Sequence, residues 1–283
     1  MKMLIPALVL VFVSCTTIPV NEAILLQPKR SVTPETFDRL GLEGYTLEEH
    51  FFEADDGTLL NGWFVSRIDR EGEGDGERIT VVFFGGNGFY LVHSIQFLEL
   101  YAAADVDVFI WDYRGYGLSD GEATLSLMKA DALTAVDFTR DVLGARGPMI
   151  AHGHSIGSFV AAFAAEERGL DAIVLESPAT NTDHWLRNAV PGLVRRLVNL
   201  EVAEELAGLD NIPRVSRFQG PSLFAVGEED FVTPSAMAEL LYESSTAAWK
   251  RLYIQPGGDH NSLPPDVGFR DGFRALADEL RPS

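Results

Sequence analysis

Pro148-Met149-Ile150-Ala151-His152-Gly153-His154-Ser155-Ile156-Gly157 passes from a short apolar run to a serine flanked by glycines. The residues after it, through Ala165, continue as a helical run of small and apolar side chains. The apolar run reads as a buried strand and the segment behind it as a helix. A serine on so sharp a strand-to-helix turn adopts strained backbone angles and draws its neighbours' Cα atoms together, which small residues permit. G-x-S-x-G in this context predicts a nucleophile elbow with Ser155 at its tip. The motif alone recurs by chance in glycine-rich chains, so the flanking strand and helix give it weight.

Moving outward from the elbow, short runs rich in Val, Ile and Phe alternate with helical patterns. The strand runs are Ile79 to Phe84, Val106 to Trp111, Pro148 to Ala151, Ala172 to Leu175, Ser222 to Val226 and Arg251 to Ile254. The helical ones are Leu91 to Ala103, Leu125 to Leu143, Ile156 to Arg168, Pro234 to Tyr242 and Val267 to Leu280. This is the rhythm of an α/β fold with a mostly parallel sheet flanked by helices. Ahead of it, Phe51 to Ala54 and Thr58 to Val65 flank Asp55-Asp56-Gly57 and read as an antiparallel hairpin. Asp69 to Arg78 reads as a solvated loop. Residues 181–219 interpose amphipathic stretches such as Trp185 to Leu197 between two strands and read as an inserted helical cap. One domain over 37–283 accommodates all of this.

A serine hydroxyl needs an imidazole to take its proton and a carboxylate to orient that imidazole. Only His184 and His260 lie downstream of Ser155. His184 falls in the cap, whereas His260 sits in the glycine-rich loop Gln255 to Asn261, just after a strand, where open α/β sheets place their chemistry. His152 and His154 are too close to Ser155 in sequence to serve easily as its base, and are expected to line or support the elbow. The acid should end the preceding strand, where Glu228, Glu229 and Asp230 compete; Asp230, ahead of Val232 and a helix-opening Pro234, is the best placed. Oxyanion donors are expected from the amide of Ile156 and from that of Asn87 in Gly85-Gly86-Asn87-Gly88. That loop has neither a Walker lysine nor G-x-G-x-x-G spacing, which disfavours a phosphate cradle.

Together these motifs resemble the α/β-hydrolase superfamily. Val81 to Gly88 is similar to its oxyanion strand and loop, and Asp112-Tyr113-Arg114-Gly115-Tyr116-Gly117-Leu118-Ser119-Asp120-Gly121 resembles a loop of its depalmitoylase-like branch. The resemblance implies ester or thioester cleavage without metal or organic cofactor, with Asp112 and Arg114 bracing the loop beneath the site. The family usually carries His where Gly85 stands, so the oxyanion loop should be held differently here. A serine peptidase of the same fold and a catalytically silent envelope-binding lipoprotein are the rival readings. Asp in place of Ser at the elbow would have marked a dehalogenase.

The N-terminus adds an address. Lys2 precedes the apolar run Leu4 to Val13, whose helix of roughly 15 Å is about half a hydrocarbon core. Phe12-Val13-Ser14-Cys15 resembles the lipobox of bacterial lipoproteins, with Phe12 where Leu is usual. The resemblance implies a signal peptide over 1–14, acylation of Cys15, a tether over 15–36, and a protein of the bacterial cell envelope. Thr16 in place of Asp implies the outer membrane, facing the periplasm. Cleavage near Ser14 or Thr17, releasing a soluble periplasmic enzyme, is the alternative. The proline-spaced segment Thr16 to Thr36 is expected to be irregular. With 22 basic and 42 acidic residues, a net charge of −20, the surface repels nucleic acid and gives anionic lipid no basic patch to hold. A single cysteine excludes an internal disulfide and multi-cysteine metal sites.

Overall fold

The computed structural model describes residues 16–26, 28, 44–68, 78–89, 91, 94–190, 192–195 and 198–281. The leader 1–14, Cys15, residues 29–43 and residues 69–77 of the solvated loop lie outside these described residues.

Ten strands and ten helices run in chain order through the described residues. The N-terminal segment holds β1 (Thr16–Val20) and α1 (Glu22–Leu25). A hairpin of β2 (Tyr45–Glu53) and β3 (Leu59–Arg67) precedes the alternating part. That part runs β4 (Thr80–Phe84), α2 (Ile95–Ala103), β5 (Asp107–Trp111), α3 (Leu125–Asp141), β6 (Met149–His154), α4 (Gly157–Arg168) and β7 (Ala172–Glu176). The insertion holds α5 (Thr182–Ala189), α6 (Gly192–Arg195), β8 (Val198–Val202), α7 (Glu204–Ala207) and α8 (Ile212–Arg217). The chain closes with β9 (Ser222–Gly227), α9 (Ser235–Ser244), β10 (Lys250–Gln255) and α10 (Val267–Leu280).

Eight strands form one sheet in the order β10-β9-β7-β6-β4-β5-β3-β2. The six strands from β10 to β5 in that order are parallel, and β3 pairs antiparallel with both β5 and β2. Side chains alternate across each strand, so β4 divides its residues between two cores. Val82 and Phe84 pack with Ala132, Val136, Val160 and Ala164 of α3 and α4 on one face. Val81 and Phe83 pack with Leu98, Tyr101, Phe269 and Phe273 of α2 and α10 on the other. Burial on both faces explains why these strands read as continuous apolar runs.

Two regions differ from the sequence reading. The segment expected to be irregular after Cys15 instead contributes β1, which pairs in parallel with β8 from Thr16↔Val198 to Val20↔Val202. Val20 and Leu26 are buried against the α3–α4 core, and the Glu22 carboxylate accepts the Leu125 amide at the start of α3 (2.9 Å). Pro19 is compatible with this strand because each strand of a two-stranded sheet has an open edge, where a missing N–H is tolerated. The cap, in turn, is not purely helical. α5 ends before Pro191, and β8 follows with alternating half-buried and exposed residues.

Candidate active site

The parallel strands all deliver their C-terminal ends to one edge of the sheet, so the loops after β4, β6, β7, β9 and β10 converge there. Ser155 sits at the tip of the β6–α4 turn with φ of 55°, a strained value for a residue with a side chain. Its amide donates to the Glu176 carbonyl of β7 at 2.9 Å, fixing the elbow to the neighbouring strand. The flanking glycines are required by contact. A Cβ on Gly157 would lie 2.1 Å from the Phe84 carbonyl oxygen, and one on Gly153 would lie 2.4 Å from that of Gly157.

His260 reaches the elbow from the loop after β10, and its Nε2 is 2.9 Å from Ser155 Oγ. Its Nδ1 is 2.7 Å from Asp230 Oδ2. Asp230 is buried, while Glu228 and Glu229 are exposed, and the Glu228 carboxylate is engaged by the Gly257 amide. Four donors surround the Asp230 carboxylate: His260 Nδ1, the amides of Val232 and Thr233 (2.9 Å each), and Thr233 Oγ1 (2.9 Å). Burial pushes this carboxyl up, but the bonds from His260 and Thr233 together hold it below the usual carboxylate range. His184, the other downstream histidine, is occupied in the cap, its Nδ1 2.7 Å from Thr180 Oγ1.

A cavity of about 250 Å³ opens beside Ser155. Ile156, Phe159, Ala179, Trp185, Leu209 and Val232 give it apolar walls, and Asn87 and Thr233 stand on its lining as well. Asn87 and Ile156 therefore flank Ser155 from the two loops expected to supply oxyanion donors. Gly85 leaves no room for a side chain, since a Cβ there would fall 2.4 Å from Phe89 Cδ1. In the amphipathic stretch of the cap, Trp185 faces the cavity and Leu186 is buried in the core, while the side chain of Leu193 and all of Leu197 lie outside the described residues.

Asp112 and Arg114 brace the adjoining loop. The buried Asp112 carboxylate accepts the Leu91 amide at 2.8 Å, and burial pushes its pKa up to about 7 against the lowering effect of bonds from the Leu91 and Leu118 amides. Arg114, also buried, grips Asp131 with Nε and an Nη at 2.6 and 2.5 Å and reaches Asp56 at 2.9 Å. Among the described residues, no group of three or more His, Cys, Asp or Glu is placed to hold a metal ion, and no helix is long and apolar enough to cross a membrane.

The sequence model of a family described as serine aminopeptidase, S33, matches residues 75–209, from before β4 into the cap. Protein bem46 of Schizosaccharomyces pombe is 27% identical over 215 residues, spanning 74% of this chain and 70% of the relative. The chain belongs to the α/β-hydrolase superfamily. As an α/β hydrolase it is a hydrolytic enzyme. Human ABHD12B is 30% identical over 192 residues, 60% of this chain and 52% of that protein. The esterase Pf2001 of Pyrococcus furiosus superposes with a TM-score of 0.72 at 16% identity, covering 91% of this hydrolase and 98% of that structure. The acetyl xylan esterase of Paenibacillus sp. R4 gives 0.62 at 16% identity, covering 90% and 89%. These two likenesses speak to the fold.

The sequence reading did not single out Thr233, Ser177 or Glu176. Thr233 had a weak signal, since a threonine before Pro234 beside a candidate acid is a ready donor. Ser177 and Glu176 had none, because their roles come from the pairing of β7 with β6 and β9.

Proposed function

We propose that this hydrolase cleaves carboxylic esters or thioesters by covalent catalysis at Ser155. His260 takes the hydroxyl proton as Oγ attacks the acyl carbonyl, Asp230 holds His260 in the Nδ1–H tautomer, and the same proton passes to the leaving group. The amides of Asn87 and Ile156 receive the oxyanion. Water then releases the acyl group from Ser155. The observation that carries this reading is the unbroken chain Ser155 Oγ, His260, Asp230, with links of 2.9 and 2.7 Å. The apolar cavity takes the acyl part. At about 250 Å³ it is smaller than the ~300–1,000 Å³ of pockets for drug-sized ligands, which favours short acyl groups.

A second reading, peptide cleavage, draws on the aminopeptidase description of the matching family. Fluorophosphonate labelling of wild type beside Ser155→Ala, followed by p-nitrophenyl esters, acyl-CoA thioesters and peptide anilides, separates the two. Labelling lost in the variant with esters turned over fastest is the expected result. A folded wild type that does not label would overturn the catalytic reading and favour a silent binding lipoprotein, and anilides turned over fastest would select the peptidase.

The address is part of the proposal. Acylation of Cys15 would anchor the enzyme in the bacterial envelope at the outer membrane, facing the periplasm, where several acyl chains hold what an acidic surface cannot. Cys15→Ala should release the protein from the membrane fraction; retention at the wild-type level would exclude acylation as the anchor.

A further inference from the structure

His154 precedes the nucleophile and, despite its place at the site, is only 7% exposed. Its Nε2 lies 3.0 Å from the carbonyl oxygen of His260. A carbonyl only accepts, so Nε2 carries a proton. Ser177 Oγ donates to the same carbonyl at 3.2 Å, leaving the His260 backbone held from the ends of β6 and β7. The opposite side of the His154 ring meets the oxyanion loop. A Cβ on Gly86 would fall 2.5 Å from His154 Nδ1 and 3.3 Å from Ser155 Cβ, so loop, ring and nucleophile pack without a gap.

We propose that His154 is a positioning residue: a neutral imidazole, protonated on Nε2, that keys the His260 loop and the oxyanion loop to the elbow. The inference rests on the reading of Ser155, His260 and Asp230 as the reacting set. Neutrality matters because His260 becomes an imidazolium during turnover, and the two rings are 5.2 Å apart. A second positive ring there would oppose it. The groups facing His154 are His260, His152 and Glu176, with the Phe97 ring on its apolar side. Burial, assisted by the two histidines, drives the His154 pKa down against the pull of Glu176 and of the hydrogen bond to the His260 carbonyl, which leaves the ring uncharged at neutral pH.

Two measurements on the full chain test this. Imidazole ¹⁵N spectra of histidine-labelled protein should show His154 as the Nε2–H tautomer without titration between about pH 6.5 and 8. An Nδ1–H tautomer, or a ring that titrates in that range, would overturn the proposal. This measurement is independent of turnover, so it decides the state of His154 even if wild type fails to label and the catalytic reading falls. In kinetics, His154→Phe should lower kcat for an ester at least tenfold with KM within about twofold. His154→Gln, whose amide nitrogen reaches the Nε2 position, should recover most of the loss. Equal losses in folded Phe and Gln variants would mean that ring volume matters and donation does not, which overturns the assigned role.

Discussion

Thr233→Val removes a single hydroxyl that touches three partners: Asp230 Oδ2 and the Ser177 carbonyl at 2.9 Å each, and His260 Nδ1 at 3.2 Å. The hydroxyl has one proton. Donated to the carboxylate, it makes a hydrogen bond to a charged acceptor that valine deletes, about 1.5–3 kcal/mol. At ~1.4 kcal/mol per tenfold, that is a loss of roughly 10- to 150-fold in kcat. The backbone donors of Val232 and Thr233 remain, so the loss stays below the ~10⁴-fold that follows disabling the acid of such a triad. The pH dependence has a definite sign. Asp230 is held below the ordinary carboxylate range, partly by this hydroxyl, so valine raises its pKa. A carboxylate with a depressed folded pKa adds stability above its unfolded value and loses that contribution as pH falls through the folded one. The variant should therefore unfold earlier than wild type at pH 7, with the difference closing in strong acid. Its deficit in kcat/KM should be larger at pH 5 than at pH 8. Ester hydrolysis at both pH values and thermal unfolding measure this, with Thr233→Ser, expected within about threefold of wild type, as control. A Thr233→Val enzyme within twofold of wild type at both pH values, with unchanged Tm, would refute the reasoning.

Three further outcomes follow from the surrounding structure. Asp131→Ala should cost about 3–5 kcal/mol in urea unfolding because it leaves the buried Arg114 with only Asp56, whereas Arg114→Met combined with Asp131→Leu should recover most of that loss. Asp112, pushed up to about 7, adds stability that is fully present below its unfolded pKa near 4 and is lost as pH rises through 7. Wild type should lose up to roughly 4 kcal/mol from this source between pH 4 and 8, and Asp112→Asn should flatten that slope in denaturant titrations. Trp185→Ala widens the cavity beside Ser155, so p-nitrophenyl ester preference should move to longer acyl chains, with kcat for the acetate lowered less than tenfold.

The parts of the fold legible in the sequence are those written locally. The elbow needs its glycines within two residues of Ser155, and each parallel strand, buried on both faces, shows as an apolar run. His260 was legible through chain order, and Asp230 through the turn and helix start beside it. The partners Ser177 and Glu176 depend on register, and so do the particular contacts of His154, which was expected only to line or support the elbow. His154 stands opposite Glu176 because β6 and β7 pair as they do, and a shift of one residue would turn both to the other face. β1 was hidden for a different reason. Its partner lies about 180 residues away in a cap that reads as helical, and Pro19 argued against regular structure.

The β1–β8 ladder makes the N-terminal segment a mechanical element. Among the described residues, β8 has β1 as its only sheet partner, so the cap cannot swing without dragging β1 or breaking five paired positions. Tension arriving ahead of Thr16 would load the cap beside the Ser155 cavity before it reached the central sheet. Glu22, tied to the first turn of α3, would act as the cleat on that line. A chain trimmed at residue 21 on the assumption that everything before the domain is dispensable leader would lose a strand of the cap and expose the edge of β8 as a site for adhesion between molecules.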